Sequence, residues 1–159
     1  MAIGCRRKRS GRRRRGAGRA GQRFPWGNTI SWSQANYYAY PAGYAYDVNP
    51  TSGYNTNFTS GGSPYTSPAG YFAPNGYGLY DMAGNVLQWC WDWYDGAWYS
   101  NVGATQSDTR GPSGVLSLRV LRGGYWSGYA FVSQCAFRLY VSSGSANYVG
   151  FGFRCVRGL

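Results

Sequence analysis

Residues Asn75–Tyr94 read NGYGLYDMAGNVLQWCWDWY. Apolar side chains recur in the first part of this segment at steps of three and four residues, which predicts one stripe of a short helix. They are Leu79, Met82, Val86 and Trp89. Asp81 suits the start of this helix, where a carboxylate meets free backbone N–H groups. Gly78 and Gly84 lower the intrinsic stability of the helix, so tertiary packing must hold the helix in place. Trp89, Trp91 and Trp93 then occupy every second position, which is the period of an extended segment. We therefore interpret the segment as a core helix that leads into an extended aromatic wall.

Length and composition point to one loop-rich domain. The chain has 159 residues, of which 19% are aromatic and 25 are glycine, so large rings supply the buried area and glycines permit tight turns. No apolar run is long enough to span a membrane, and the charged N-terminus lacks the apolar segment of a secretory signal. The four cysteines have no CxxC spacing and histidine is absent, which argues against a zinc knuckle, a dithiol redox motif and histidine proton relays.

The positive charge is concentrated at one end of the chain. The net charge is +11, but ten of the sixteen basic residues lie in 1–23, and the remaining six Arg against five Asp leave a net charge of +1 (6 − 5) from residue 24 onward. We therefore expect no nucleic-acid binding from the folded part. Residues 1–21 are basic and glycine-rich, cannot bury apolar area and are predicted to be disordered in isolation. The alternative is a genuine basic arm that binds nucleic acid.

The rest of the chain predicts few regular elements. Residues 31–38 suit a short helix or turn, and residues 40–72 suit long ordered loops pinned by tyrosine rings, with a flexible linker as the alternative. Short strands are predicted at Ser117–Leu121, Ala136–Val141 and Phe151–Val156. The fold class that follows is α+β.

Four short motifs resemble the formylglycine-generating enzyme family, also called the sulfatase-modifying factor family. They are FPWGN at 24–28, NGYGLYDMAGNVxxW at 75–89, RVxRGG at 119–124 and GFR at 152–154. The resemblance implies a loop-rich variant of the C-type lectin fold. It covers residues 23–159, which looks like the C-terminal part of a family domain without its N-terminal portion, so the expected partial domain is N-terminally truncated.

The resemblance also suggests an origin for residues 1–22. Family members commonly have Pro-Thr-Glu-Ala-Glu-Trp-Glu-Lys-Ala-Ala-Arg-Gly-Gly just before the Pro-Trp-Gly motif. Suitable codons for Cys5–Gly18, read in the neighbouring frame, encode that string. We hypothesise that residues 1–22 are an aberrant, out-of-frame segment.

Enzymes of the family oxidise a sulfatase cysteine to formylglycine with O₂ and a Cu(I) held by two cysteines, because soft thiolates suit Cu(I). In the family these cysteines lie four and nine residues after the Gly-Gly corner, where this chain has Gly128 and Ser133. Cys135 resembles a non-catalytic family cysteine. The resemblance thus implies that copper is not bound and that the chain is a non-catalytic ligand- or protein-binding module. The alternatives are an active formylglycine-generating-type oxidoreductase with another residue set, and a frameshifted product without a stable fold.

The resemblance places a ligand surface on aromatic side chains after the Gly-Gly corner, where lectin-like folds bind ligands. The candidates are Tyr125, Trp126, Tyr129, Phe131, Arg138 and Tyr140. Core packing is the alternative for half of the rings. The partner would be an unidentified protein or small ligand, and not a membrane.

Two weak calcium sites are also implied by the resemblance. One would use Asn85 and Gln88, although Gln88 stands where the family has a stronger Glu ligand. The second would use Asn36 and the carbonyl of Tyr37, with Asp47 as a distant candidate for its carboxylate. The alternative is that these side chains only satisfy backbone groups.

The remaining candidate residues are predicted to be structural. Cys90 and Cys155 are expected to be buried apolar thiols. Arg122, Arg138 and Arg154 are expected to pair with Asp81, Asp92 or carbonyl groups rather than to clamp a substrate.

Overall fold

A four-stranded sheet organises the chain. The computed structural model describes residues 21–105, 112, 114, 116–142, 144 and 148–155. The strands are β1 (Leu87–Trp93), β2 (Leu118–Arg122), β3 (Leu139–Ser142) and β4 (Phe151–Gly152), in the spatial order β3-β2-β1-β4. Short 3₁₀ helices lie at Thr56–Phe58, Trp98–Ser100, Val102–Thr105 and Ala130–Ser133. The described part of the chain contains no α-helix, so the helical half of the α+β prediction is present there only as 3₁₀ turns.

Strand β1 is the centre of the sheet. It pairs antiparallel with β2, through Gln88 opposite Arg122, and parallel with β4, through Leu87 opposite Phe151. An irregularity between Trp89 and Trp93 interrupts the β1–β2 register. The sheet thereby brings the second and third sequence motifs side by side.

The predicted helix around residues 79–89 is wrong. Residues 76–86 form turns and bends, and β1 begins at Leu87. Four residues in this stretch have a positive φ, which an α-helix cannot accommodate. They are Gly78 (+72°), Asp81 (+52°), Gly84 (+77°) and Asn85 (+66°). The three- and four-residue spacing of the apolar side chains therefore reflects a turning loop that buries part of its side chains.

A strand overlaps each of the three predicted ranges, but its bounds differ from the prediction. Strand β2 lies one residue later than predicted. Strand β3 begins only at Leu139, because residues 134–137 form a turn in which the Phe137 N–H donates to the Gln134 carbonyl at 3.0 Å. Strand β4 ends at Gly152, and residues 31–38 form turns rather than a helix.

The prediction of ordered loops within residues 40–72 is confirmed. Backbone bridges join Ala39 to Gly53 and Ile30 to Asp47, and they close the loops against the core. A cluster of fully buried side chains lies beneath them. It consists of Phe24, Ile30, Ala35, Tyr37, Ala39 and Ala130. Stacked and edge-on tyrosine rings cover this core, so the alternative of a flexible linker does not hold.

The cysteines divide into buried and exposed thiols. Cys90 and Cys135 are buried, Cys90 as predicted. The prediction of a buried Cys155 is wrong: its side chain is exposed, because β4 ends at Gly152 and Cys155 lies beyond the sheet.

Residues 1–20 lie outside the described part of the chain, and with them most of the predicted aberrant segment 1–22. In the described residues no helix is both long and apolar enough to cross a membrane.

Candidate functional site

A row of tyrosine rings lies next to the segment that follows the Gly-Gly corner. Tyr129 forms a backbone bridge with Tyr38, and the Tyr38 N–H donates to the Gly128 carbonyl at 3.0 Å. The Tyr129 ring contacts those of Tyr38, Tyr40 and Tyr44 at centroid distances of 5.5, 5.7 and 6.1 Å. We call Tyr38, Tyr40, Tyr44, Tyr54 and Tyr129 the tyrosine face. Tyr40, Tyr54 and Tyr129 in it are 43%, 37% and 43% exposed.

The rings of Phe131 and Trp126 pack against the tyrosine face. The Phe131 ring packs on Tyr44 at 5.7 Å, and Trp126 packs on Tyr54 at 5.6 Å and on Tyr65 at 5.3 Å. Trp126 is only 6% exposed, so it supports the exposed rings rather than presenting its own.

The structure separates the other three predicted surface residues from the tyrosine face. Tyr125 packs edge-on against Tyr148 at 6.0 Å, and burial, followed by this neighbour, raises the pKa of its phenol. Arg138 and Tyr140 lie at β3, where the Tyr140 ring stacks on Tyr94 at 4.0 Å. The six candidates thus form three clusters, of which the largest includes Tyr129, Phe131 and Trp126.

Sequence reasoning missed Tyr38, Tyr40, Tyr44 and Tyr54 as members of this surface. A signal was present: residues 36–80 contain a single charged residue, Asp47, and otherwise mainly Tyr, Asn, Ser, Thr, Gly, Pro and Ala. Loops of Tyr, Ser, Gly and Asn are typical of binding surfaces, because tyrosine offers a large contact area at low entropic cost.

The two positions at which family enzymes hold copper are closely packed here. A Cβ atom at Gly128 would lie 2.6 Å from Val132 Cγ2 and 2.7 Å from Tyr125 Cε1. Ser133 is 1% exposed, and its Oγ lies 2.2 Å from where a Cβ on Gly124 would be. Glycine offers no side-chain donor and a serine hydroxyl is a hard ligand, so these residues do not fit a Cu(I) site.

Of the four calcium candidates, Asn36 and Asn85 are joined directly by a hydrogen bond, whereas the Tyr37 carbonyl and the Gln88 side chain bond to other residues. The Asn85 N–H donates to the Asn36 carbonyl at 2.7 Å, and Asn85 Oδ1 accepts from the Ser67 N–H at 2.8 Å. The Tyr37 carbonyl accepts from Trp32 Nε1 at 3.1 Å. Among the described residues, no group of three or more His, Cys, Asp or Glu side chains is close enough to hold a metal ion.

Gln88 and two of the predicted structural arginines donate to backbone carbonyls, and Arg154 thereby joins the motif at 152–154 to the motif at 75–89. Gln88 Nε2 donates to the Asp81 carbonyl at 3.3 Å, and Arg154 Nη2 donates to the same carbonyl. Arg122 Nη1 donates to the carbonyls of Cys135 and Phe137 at 3.2 and 3.0 Å. The predicted pairing with carbonyls is confirmed for Arg122 and Arg154. Burial lowers the pKa of Arg154, and the charge of Asp81 opposes this shift.

The first two motifs also line a small recess. Pro25 and Trp26 are among its lining residues, together with Asn75, Leu79 and Met82. The recess has room for little more than a water molecule, so we interpret it as a junction of the scaffold rather than a ligand pocket.

The chain is similar in sequence to known proteins. The chain is 39% identical over 105 residues to the formylglycine-generating enzyme of Thermomonospora curvata, which covers 64% of this chain and 31% of that protein. It is 36% identical over 138 residues to serine/threonine-protein kinase pkn1 of Chlamydia caviae, covering 86% of this chain and 18% of that protein. The chain therefore spans less than a third of the length of either relative.

Structural comparison supports the same relationship. The structure of PvdO from Pseudomonas aeruginosa superposes with a TM-score of 0.64 at 26% identity, covering 92% of this chain and 49% of that one. This likeness agrees with a fold made mostly of sheet and loops. Residues 11–159 match the Sulfatase-modifying factor enzyme 1-like domain, and the chain belongs to that family.

Proposed function

We propose that this chain is a binding module of the sulfatase-modifying factor family that does not carry out copper-dependent oxidation of cysteine. The observation that carries the proposal is the pair of residues at the copper positions. Gly128 supplies no ligand and Ser133 supplies a hydroxyl, whereas Cu(I) requires soft thiolates.

The packing around Gly128 supports this reading. The Tyr125 ring and Val132 occupy the volume that a side chain at position 128 would need. The Gly128 carbonyl also accepts a hydrogen bond from Tyr38 and so holds the tyrosine loop in place. The backbone that would carry a copper ligand thus serves to position exposed rings.

We propose the tyrosine face as the binding surface, with an uncharged protein surface as its partner. Its exposed rings are Tyr40, Tyr54 and Tyr129, and the one charged residue of segment 36–80, Asp47, is 3% exposed. Aromatic enrichment without charge is typical of the centre of protein interfaces. The relatives agree with a modular role, because the match occupies only 18% of the Chlamydia caviae kinase.

The proposal also covers the detailed fold of residues 23–159 and the origin of residues 1–22. We infer that residues 23–159 adopt a partial, C-type-lectin-like variant of the family domain, and that residues 1–22 arise from out-of-frame translation. Sequencing the gene decides the second point. Codons at positions 6–18 that do not encode the family string in the shifted frame would exclude it.

We further propose that Asn36, Tyr37, Asn85 and Gln88 hold loops together by hydrogen bonds and need no calcium. At Asn85 and Tyr37 the oxygens in question already accept bonds from protein N–H groups. Thermal melting in calcium and in EDTA should give the same midpoint. A midpoint that rises with calcium concentration would establish a calcium site instead.

The oxidase reading is tested with a sulfatase-derived cysteine peptide, Cu(I) and O₂. We expect mass spectrometry to show the peptide cysteine unchanged after incubation with the wild-type chain. Formation of formylglycine, or retention of one Cu(I) against a competing chelator, would overturn the proposal.

A restored donor set provides the matched control. The quadruple variant Tyr125→Ser, Gly128→Cys, Val132→Ala, Ser133→Cys removes both obstructing side chains and places thiols at both copper positions. We expect this variant to retain Cu(I) where the wild type does not, which would show that the assay detects such a site in this scaffold.

A further inference from the structure

We propose that Arg138, together with the rings of Tyr94, Tyr99 and Tyr140, forms a binding site for an oxyanion attached to a flat or apolar group. We call these four residues the Arg138 site. It lies apart from the tyrosine face, where the residue after β1, the residues at the start of β3 and the 3₁₀ helix Trp98–Ser100 come together. The carboxylate, sulfate and phosphate groups share the required chemistry.

Aromatic rings hold the Arg138 guanidinium in place. Its Cζ lies 4.2 Å from the Tyr99 ring centroid and 5.0 Å from that of Tyr94. Tyr140 stacks on Tyr94 at 4.0 Å with an interplanar angle of 26°. Cation–π contacts engage the face of a guanidinium and leave its in-plane N–H donors available for an acceptor.

Arg138 differs from the other described arginines in its hydrogen bonding. Arg23, Arg119, Arg122 and Arg154 each donate to a backbone carbonyl. Arg138 has no hydrogen bond or ion pair with any described residue, and its Nη1 is buried without an acceptor. A buried donor that lacks an acceptor is costly, so an added acceptor at this guanidinium would be stabilising.

The surroundings of Arg138 determine what kind of ligand fits. The Tyr99 and Tyr140 rings are 42% and 47% exposed, so they offer solvent-facing apolar surface beside the cation. Guanidinium donors match the oxygens of carboxylate, sulfate or phosphate in a bidentate geometry. A ligand with a flat group next to its oxyanion would contact the rings as well as the guanidinium.

This inference goes beyond the proposed function, because the Arg138 site lies apart from the tyrosine face. It is tested separately. Loss of anion binding here would leave the tyrosine face and the copper positions untouched, and oxidase activity would not affect the Arg138 site.

The experiment titrates the full chain with sodium benzoate, phenyl phosphate, acetate and sodium sulfate. NMR shifts of the Arg138 Nε–Hε group and of the Tyr99 ring report binding. We expect benzoate and phenyl phosphate to bind more tightly than acetate and sulfate, which lack a ring. The comparison of benzoate with phenyl phosphate distinguishes a carboxylate from a phosphate ligand.

Variants assign the binding to Arg138. Arg138→Gln should weaken binding by about tenfold or more, and Arg138→Lys should weaken it less, because lysine keeps the charge and loses the planar fork. Arg23→Gln is the matched control, since Arg23 stacks on Tyr46 at 4.2 Å but already donates to the Asn28 carbonyl. It should bind as the wild type does.

Two results would overturn the site. One is equal affinity of wild type and Arg138→Gln, provided that thermal melting shows the variant to be folded. The other is an equal loss in Arg23→Gln, which would indicate attraction to net charge alone. If Arg138→Gln does not fold, Tyr99→Ala replaces it, and unchanged benzoate affinity in that variant would also refute the proposal.

Discussion

Asn85 shows how one residue joins two motifs through its backbone and its side chain together. Its φ is +66°, a region that asparagine tolerates better than most residues. Its side chain pairs with the Ser67 backbone in both directions, accepting at 2.8 Å and donating at 3.1 Å. Its carbonyl accepts from the Trp126 N–H at 2.9 Å, so a single residue connects the loop, the turn before β1 and the Gly-Gly corner.

Replacing Asn85 by Ala and by Gly should separate the contribution of its side-chain hydrogen bonds from that of its backbone angle. Asn85→Gly removes the side-chain bonds but suits the positive φ, so we expect a loss of about 1–2 kcal/mol in the free energy of unfolding. Asn85→Ala adds backbone strain and should cost about 1 kcal/mol more. Urea denaturation of both variants measures the difference. Equal losses would mean that the backbone angle carries no strain.

Tyr37 is a fully buried phenol. Burial, and then its contact with Asp47, raise the pKa of Tyr37 well above the usual value of about 10. Above pH 10 the unfolded tyrosine loses its proton while the folded one keeps it. The native state then binds more protons, so the free energy of unfolding falls as pH rises past 10.

Tyr37→Phe should make the stability of the protein less sensitive to alkaline pH. At pH 7 we expect the free energy of unfolding to fall by about 1–2 kcal/mol, because the hydrogen bond to Asp47 is missing. Between pH 9 and about 11 the free energy of unfolding should decline less steeply than in the wild type. Denaturation curves across this range are the measurement. Tyr77→Phe, a change on an exposed ring, serves as the control, and an equally steep decline in both variants would contradict the assignment.

The loop of residues 30–53 is organised around one carboxylate. Asp47 Oδ1 accepts from the Tyr37 hydroxyl at 2.7 Å and from Asn49 Nδ2 at 2.8 Å, and Oδ2 accepts from the Tyr40 N–H at 2.7 Å. The backbone bridge between Ile30 and Asp47 lies at the same place. Because this loop carries Tyr38, Tyr40 and Tyr44, the geometry of the tyrosine face depends on Asp47.

Asp47→Asn should loosen this loop while the sheet stays intact. The amide supplies a single acceptor oxygen and introduces an unwanted donor, so we expect a loss of about 2–3 kcal/mol in stability. Hydrogen exchange should accelerate at the Tyr40 amide and not in β2. Asp95→Asn, which alters a carboxylate that caps Ala97 at 2.8 Å, is the matched control. Unchanged protection at Tyr40 would show that Asp47 does not hold the loop.

The positive charge is concentrated at one end of the whole molecule. Residues 1–20 contain nine basic and no acidic residues, so the remainder has a net charge of +2 (11 − 9). A domain with so little net charge lacks the electrostatic footprint of a nucleic-acid-binding protein.

Deleting residues 1–20 should therefore remove any nucleic-acid binding of the chain and leave its stability unchanged. We expect the melting temperature to stay within about 2 °C of that of the full chain. Binding of the full chain to single-stranded DNA, if present, should fall steeply with salt and disappear in the deletion variant. Residual binding by residues 21–159, or a large drop in melting temperature, would contradict this expectation.

The sequence by itself determined the family, through motifs such as FPWGN at 24–28 and NGYGLYDMAGNV at 75–86, and it determined which donors stand at positions 128 and 133. These are properties of residue identity and short spacing. Strand β1 was also foreseen in part, because alternation along one strand is a local pattern.

Only the tertiary structure decided the conformation of the turn before β1 and the membership of the surface clusters. The Gly84 N–H donates to the Gly123 carbonyl at 2.6 Å and the Asn85 N–H to Asn36, and these distant partners stabilise left-handed residues where local spacing favoured a helix. Distant contacts also decide which aromatic rings cluster together. The Tyr129 ring packs against Tyr38 and the Tyr140 ring packs against Tyr94, although Tyr129 and Tyr140 are close in sequence. Contacts between residues far apart in sequence have no local periodicity, so the folded chain alone determines them.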